Sequence, residues 1–385
     1  MNRRKILFLT GIRSDYGLLK EIMQAVKNHP NLELHLIVSG AHLSDTYGMT
    51  VNEIEKDGFE IDAKIKSLIE SDSLGSRIKS ASIQLTSLID EIEGIKPDIL
   101  IAAFDREEAI NMALAGVYMN IPIVHIGGGD RVKGNVDDYI RHAVTKLANL
   151  HLPATEQNKE RIIKMGEEPW RVINVGSAGV DKYITTPSKS KKELSEILDF
   201  ELGKEFIILL QHPLSSEAEE SANQMRITLR AIKELGIKTV LINPNSDAGS
   251  RGILDIIEEE TKGLDFIKQF KNLKEDIFVN VMRNASALIG NSSAGILEAP
   301  VIKLPVVNIG ERQLQREHAE NVIFVGHDKE KIKEAVKRAV YDKSFREKVQ
   351  KCSNPYGDGH TSERIAILLS EIKIDRKLLQ KEQTY

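Results

Sequence analysis

The sequence predicts an α/β protein built from two Rossmann-like domains that face a central cleft. Three observations lead there. Short apolar runs alternate with amphipathic stretches, the alternation starts again after residue 203, and polar residues gather just after the apolar runs. Two successive βα series imply two parallel sheets with right-handed crossovers. In open sheets of this kind ligands bind beyond the carboxyl ends of the strands. A chain of 385 residues also exceeds what one hydrophobic core usually serves.

In the first half, Lys5 to Thr10 reads as a strand, Leu18 to Asn28 as a helix and Leu32 to Ser39 as a strand. Ser76 to Glu93 has helical apolar spacing through Ile78, Leu85, Leu88 and Ile92. Asp98 to Ala103 is a buried-type strand, Glu107 to Tyr118 a helix and Ile123 to Ile126 a strand. Asp137 to Ala148 and Glu156 to Met165 are helices around a strand at His151 to Ala154, and Val172 to Val175 is one more short strand. In the second half, Phe206 to Leu210, Thr239 to Ile242, Phe266 to Lys268, Ala287 to Ile289 and Val306 to Val307 read as strands. Helices fall near 217–235, 250–260, 275–285 and 295–299, and a tail helix runs from Ser362 to about Leu379. The resulting domains are 1–183 and 204–361, joined by a polar Lys/Ser-rich linker at 184–203, with 362–385 packing back on the body.

Composition narrows the class. Hydrophobic residues make up 41% and charged residues 29%, as in soluble globular proteins. The net charge of −4 gives no electrostatic case for nucleic acid or an anionic membrane. Cys352 is the only cysteine, which excludes internal disulfides and zinc sites built on cysteine pairs. The run Ile6 to Leu9 is too short for a signal h-region, and nothing approaches the ~20 apolar residues of a membrane span. A cytoplasmic enzyme is the expectation.

The richest stretch is Gly290-Asn291-Ser292-Ser293-Ala294-Gly295, followed by Glu298. An apolar strand runs into a hydroxyl turn and then a short helix. Backbone N–H groups, hydroxyls and a helix end suit an anion, and a carboxylate nearby suits a ribose diol. The same residues also read as an ordinary capped turn. Other strand-end loops carry Arg13, Asp105, Asp130 and His212, and Asp137 opens a helix. Asp105 serves equally as a helix cap or as a carboxylate for proton transfer, and Asp137 as a dipole partner or as a second such carboxylate. His212 reads as a diphosphate donor, a general acid or a packed histidine. Arg312 and Arg316 would share one face of a helix and clamp an anion, or simply pair with Glu317 and Glu320. G-x-G-x-x-G and P-loop fingerprints are absent, which disfavours a nicotinamide dehydrogenase.

Together these motifs resemble the UDP-N-acetylglucosamine 2-epimerase family, in particular its hydrolysing, sialic and nonulosonic acid branch. The resemblance runs from Thr10-Gly11-Ile12-Arg13-Ser14-Asp15-Tyr16-Gly17 through Asp105-Arg106-Glu107-Glu108 and Ile140-Arg141-His142 to Asn354-Pro355-Tyr356-Gly357-Asp358-Gly359. It implies the glycosyltransferase-B fold, a UDP-sugar as partner, no cofactor or metal, and a homodimer. It implies that Arg13, His212, Ser292 and Ser293 hold the phosphates and Glu298 the ribose. Asn245, Asp247, Gly249, Ser250, Arg312 and Gln313 fall on substrate-facing stretches, and Gly295 belongs to the UDP-sugar-binding turn. Asp105 and Asp137 would be the catalytic carboxylates. Where the family usually reads His-Ile-Glu-Gly-Gly-Glu, this chain has His125-Ile126-Gly127-Gly128-Gly129-Asp130. Asp130 would then partly replace the missing acid, or a water would, or the chemistry would differ.

The implied reaction eliminates UDP from a UDP-2-acetamido sugar and hydrates the glycal, releasing UDP and N-acetylmannosamine or an analogue. The alternatives are a non-hydrolysing epimerase, a hydrolysing enzyme for UDP-2,4-diacetamido-2,4,6-trideoxyglucose, a glycosyltransferase of the same fold and a UDP-sugar binding protein without turnover.

Overall fold

The computed structural model describes residues 3–71, 74–131, 136–214, 217–244 and 249–385. The chain divides into two compact units, residues 1–181 with 357–385, and residues 182–356.

Unit 1 begins with β1 (Arg4–Thr10), α1 (Arg13–Asn28), β2 (Leu32–Ser39), α2 (Val51–Lys56), β3 (Ala63–Ile65), α3 (Leu74–Ile95), β4 (Ile99–Ala103) and α4 (Glu107–Met119). It continues with β5 (Ile123–Ile126), α5 (Val136–Leu147), β6 (Leu150–Leu152) and α6 (Glu156–Lys164). Unit 2 holds α7 (Lys182–Thr185), α8 (Lys191–Leu198), β7 (Phe206–Leu210), α9 (Ser221–Leu235), β8 (Lys238–Ile242), α10 (Ser250–Thr261), β9 (Ile267–Phe270) and α11 (Glu275–Asn284). It ends with β10 (Ala287–Gly290), α12 (Ala294–Leu297), β11 (Val306–Ile309), β12 (Val322–Val325), α13 (Lys329–Tyr341) and α14 (Lys343–Lys351). The chain then returns to unit 1 as α15 (Thr361–Glu371) and α16 (Arg376–Leu379).

The sheets are six-stranded, in the orders β3-β2-β1-β4-β5-β6 and β12-β11-β10-β7-β8-β9. Every pairing is parallel, and β1 runs beside β2 from Arg4↔Leu32 to Thr10↔Val38. Each sheet therefore starts at its centre, adds strands to one side, then reverses. The reversal falls between β1 and β4 in unit 1 and between β7 and β10 in unit 2.

The apolar runs are continuous because both faces of each strand are covered. In β1, Ile6 and Phe8 enter one core with α1 and α15, while Leu7 and Leu9 enter another with α3 and α4. In β7, Ile207 and Leu209 face α9 and α13, and Phe206, Ile208 and Leu210 face the opposite core. Fully burying each such apolar side chain is worth about 1.5–3 kcal/mol. The α4 helix approaches β5 closely at Gly116, where a Cβ would lie 2.3 Å from Ile123 Cγ1.

Several sequence expectations change. Residues 184–203 are not an open linker. Leu194, Leu198 and Leu202 are buried with Phe206, and α8 carries a Ser190–Glu193 capping box. Its polar residues face water while the leucines recur at a helical period. Val172 makes only an isolated bridge to His151, after a 3-10 turn at Pro169–Arg171, so 172–175 is no strand. The short β3 and the half-buried edge strand β12 were not expected; β3 is three residues around a lysine, whereas β12 is an unbroken Val-Ile-Phe-Val run that the sequence reading passed over. Among the described residues, no helix is long and apolar enough to cross a membrane.

Candidate active site

In unit 2 the reversal is knotted by one side chain, Asn291. Its amide nitrogen donates to the His212 carbonyl at 2.9 Å, and its amide oxygen accepts from the His212 N–H at 2.7 Å. The side chain thus continues the β7–β10 pairing one step beyond the backbone. The Asn291 carbonyl accepts from Gln313 Nε2 at 3.0 Å and from Arg312 Nη1 at 3.3 Å. His212, the Ser292–Ser293 turn, Arg312 and Gln313 are brought together in this way. At Gly290, with φ +126, a Cβ would lie 2.1 Å from the Leu210 carbonyl oxygen, so only glycine lets the strand ends approach.

The hydroxyl turn differs in one respect from expectation. The α12 helix is a single turn of 4 residues, so its dipole is small and Glu298 is its C-cap. What the turn offers an anion is N–H and O–H donors. Ser292 Oγ accepts from the Ala294 N–H at 3.3 Å, and both serines are half-buried. Gly295 is a packing residue, since a Cβ there would lie 2.8 Å from Val306 Cγ1. Residues 311–316 form turns rather than a helix, so Arg312 and Arg316 do not share a helical face; Arg316 is exposed. Ser250 opens α10 behind Gly249, at φ +96. Asn245 and Asp247 lie outside the described residues.

Unit 1 presents charge. Glu108 is buried beneath Gly11, where a Cβ would fall 1.7 Å from Glu108 Oε1. Arg106 Nε lies 3.5 Å from Glu108 and 3.9 Å from Asp15, and Arg106 Nη2 lies 3.0 Å from Glu107. Burial, reinforced by Glu107, pushes the Glu108 carboxyl up. Burial, with the Glu108 charge, raises Asp15 to about 7. Burial opposes the Arg106 charge, but Glu108, Glu107 and Asp15 outweigh it and hold the guanidinium above its usual range. A cavity of about 170 Å³ opens beside this cluster, lined by Gly11, Gly40, Ser80, Gln84, Arg106 and Glu108 among others.

Of the two expected carboxylates, Asp137 joins this network through an arginine, and Asp105 has an arginine partner of its own. Asp137 meets Arg77 at 3.3 Å, and Arg77 meets Glu107 at 2.9 Å. Asp105 pairs with Arg141 of α5. Burial pulls Arg141 down to about 10, which leaves it cationic at neutral pH. Asp130 stands apart: it is exposed, and its Oδ1 accepts from the Arg131 N–H at 2.9 Å. Arg13 is also exposed and pairs with Glu53 at 3.1 Å.

Gly127 has a physical explanation. Its φ is +77, and a Cβ would meet Phe104 Cδ1 at 2.8 Å. Phe104 itself sits at φ +65, a region that aromatic residues rarely adopt. His125 Nε2 donates to its carbonyl at 3.0 Å, and burial keeps that imidazole neutral, at about 3. A side chain at 127 has no room while Phe104 holds this place. Reading the sequence assigned no role to Asn291, Glu108 or Asp15. Asn291 carried a signal, as an amide directly after a strand-ending glycine. The burial of Glu108 and Asp15 carried none.

A family model described as UDP-N-acetylglucosamine 2-epimerase matches residues 24–370. The chain is 34% identical to a Legionella pneumophila protein named UDP-N,N'-diacetylbacillosamine 2-epimerase (hydrolyzing), over 99% of this chain and 100% of that one. It is also 34% identical to a Campylobacter jejuni protein named GDP/UDP-N,N'-diacetylbacillosamine 2-epimerase (hydrolyzing), over 84% of each. Among solved structures, the UDP-GlcNAc 2-epimerase from Neisseria meningitidis bound to UDP-GlcNAc superposes with a TM-score of 0.79 at 20% identity, covering 95% of this chain and 99% of that one. A putative UDP-N-acetylglucosamine 2-epimerase from Listeria monocytogenes gives 0.80 at 20% identity, covering 95% and 96%.

Proposed function

The chain belongs to the UDP-N-acetylglucosamine 2-epimerase family, and we propose that it is a hydrolysing 2-epimerase of a UDP-2-acetamido sugar. The observation that carries this reading is the Asn291 knot, which gathers His212, the Ser292–Ser293 turn, Arg312 and Gln313 at the strand reversal of unit 2. That set of donors suits a diphosphate leaving group. The relatives named as hydrolysing enzymes support release of the free sugar over return of the UDP-sugar.

The chemistry asks for two things. A base must take the C2 proton while the C1–oxygen bond breaks and its electrons leave with UDP. This elimination gives a 2-acetamidoglycal. Water then adds to C1 and a proton returns to C2 from the opposite face, giving UDP and the 2-epimeric free sugar. Unit 1 offers Asp105 and Asp137 for proton transfer, work that typically contributes ~10²–10⁴-fold in rate. Unit 2 offers prearranged donors for the charge that develops on the diphosphate. Arg13, Asn245, Asp247 and Ser250 remain candidate contacts to the nucleotide sugar.

The test is incubation with UDP-N-acetylglucosamine and, separately, UDP-N,N'-diacetylbacillosamine in D₂O, followed by NMR and anion-exchange chromatography. The expected outcome is free UDP and a 2-epimeric sugar deuterated at C2 from at least one of them. Recovery of a UDP-linked epimer would replace hydrolysis with simple epimerisation. UDP binding without turnover of either sugar would leave only a binding protein.

A further inference from the structure

Glu298 is gripped from the place where the chain enters unit 2. Tyr183 Oη donates to Glu298 Oε2 at 2.5 Å, and Lys182 Nζ lies 3.5 Å from the same oxygen. Lys182 and Tyr183 are the first two residues of the unit, in α7. Tyr183 is 2% exposed and packs among Leu194, Leu198 and Phe206. Its backbone is pinned as well: Arg283 Nη2 donates to the Tyr183 carbonyl at 2.7 Å, and Arg283 Nη1 to the Thr186 carbonyl at 2.8 Å. Burial, then the neighbouring Glu298 charge, pushes the phenol well above its usual range, so it remains a donor.

The geometry points to Tyr183 as a positioning residue for nucleoside recognition, which occupies Oε2 of Glu298 and presents Oε1 to a ribose diol. The inference rests on the reading of Glu298 as the ribose contact. Its physical content is preorganisation. A glutamate has three rotatable bonds, and ordering it at the moment of binding costs affinity. Here the ordering is done in advance by a phenol that cannot itself move, because its ring is buried and its carbonyl is held by Arg283. The two partners meet the same carboxylate oxygen, and the Glu298 side chain is still 19% exposed. Glu298 thus has an oxygen left to accept from a diol.

The test is calorimetric binding of UDP and of 2'-deoxy-UDP to the full chain, to Y183F and to E298A, with thermal unfolding of each. The unaltered protein should prefer UDP by about 10-fold, the worth of one hydrogen bond to a charged group. E298A should bring that ratio to near one. Y183F removes a single oxygen, and it should weaken UDP binding about 3–10-fold and shrink the ratio about as far. A merely structural role would weaken both ligands equally and leave the ratio alone, and that result overturns the inference. Should Y183F not fold, Lys182→Met tests the same grip, with a smaller fall in the ratio expected; an unchanged ratio there overturns it. If E298A keeps the unaltered ratio, the ribose reading fails first. If the ratio falls in E298A and not in Y183F, only the positioning role is lost.

Discussion

The two units repeat one strand order and fill its reversal with opposite chemistry. In unit 2, the side chains tied together there are largely amides and hydroxyls, Asn291, Gln313, Ser292 and Ser293, with Arg312 as the cation on the knot. In unit 1, Arg106 stands among Asp15, Glu107 and Glu108, Arg77 bridges Glu107 and Asp137, and Arg141 holds Asp105. The same backbone can host either. Fixed neutral donors suit a ligand of constant negative charge, because they stabilise it and do not titrate against it. Part-buried carboxylates suit proton transfer where burial and like charge raise them, as they do Asp15 and Glu108.

The largest expected effect comes from breaking the acidic side. Asp105→Asn should lower kcat by ~10²–10⁴-fold while UDP affinity changes by less than about 3-fold. Steady-state turnover with calorimetry of UDP binding checks this. Near-normal turnover would remove Asp105 from the chemistry, and a matching loss of UDP affinity would erase the division of labour.

The reverse change comes next. Asn291→Ala leaves the His212 N–H and carbonyl without their side-chain partners, while the backbone carbonyl that accepts from Arg312 and Gln313 remains. Stability should fall by about 1–3 kcal/mol and UDP affinity by about 10–100-fold. Urea unfolding and calorimetry read these two numbers. An unfolding midpoint that falls with UDP affinity intact would show that the knot braces the sheet alone.

The smallest effect sharpens the contrast through pH. Asp15 titrates at about 7 in the native chain, well above an ordinary carboxyl. Between about pH 4 and 7 the unfolded chain has released this proton and the native chain retains it. Its contribution to stability is therefore complete below pH 4, declines as the pH rises toward 7, and is level above that. Asp15→Asn should remove the decline and make the variant more stable than the parent at pH 8 by about 1–2 kcal/mol. Urea unfolding at intervals from pH 4 to 8 tests the sign. A constant difference across that range would show that Asp15 is not titrating in the window.

How much of this was legible beforehand depends on how local the signal is. The strands at Lys5–Thr10 and Phe206–Leu210 were readable because a strand covered on both faces needs an unbroken apolar run, whatever covers it. The Gly290–Ser293 turn was readable because a strand exit, a glycine and two hydroxyls are consecutive. The 184–203 segment misled, since lysines and serines on the wet face of α8 outnumber the leucines on its buried face. The 2 arginines at 312 and 316 misled because a helical spacing was read into a run of turns.

The sequence alone determined the α/β class, the two βα series and the polar strand ends, because backbone periodicity and turn chemistry are set by neighbours along the chain. Tertiary structure decided which of those residues act together. His212 and Asn291 are 79 positions apart, Asp105 and Arg141 are 36 apart, and Tyr183 reaches Glu298 across 115. The burial that raises Asp15 and Glu108, and the Phe104 ring that keeps position 127 a glycine, likewise come from distant elements folded against one another. A hydrogen bond or a desolvation cost depends on distance in space, and only the packed fold fixes that distance.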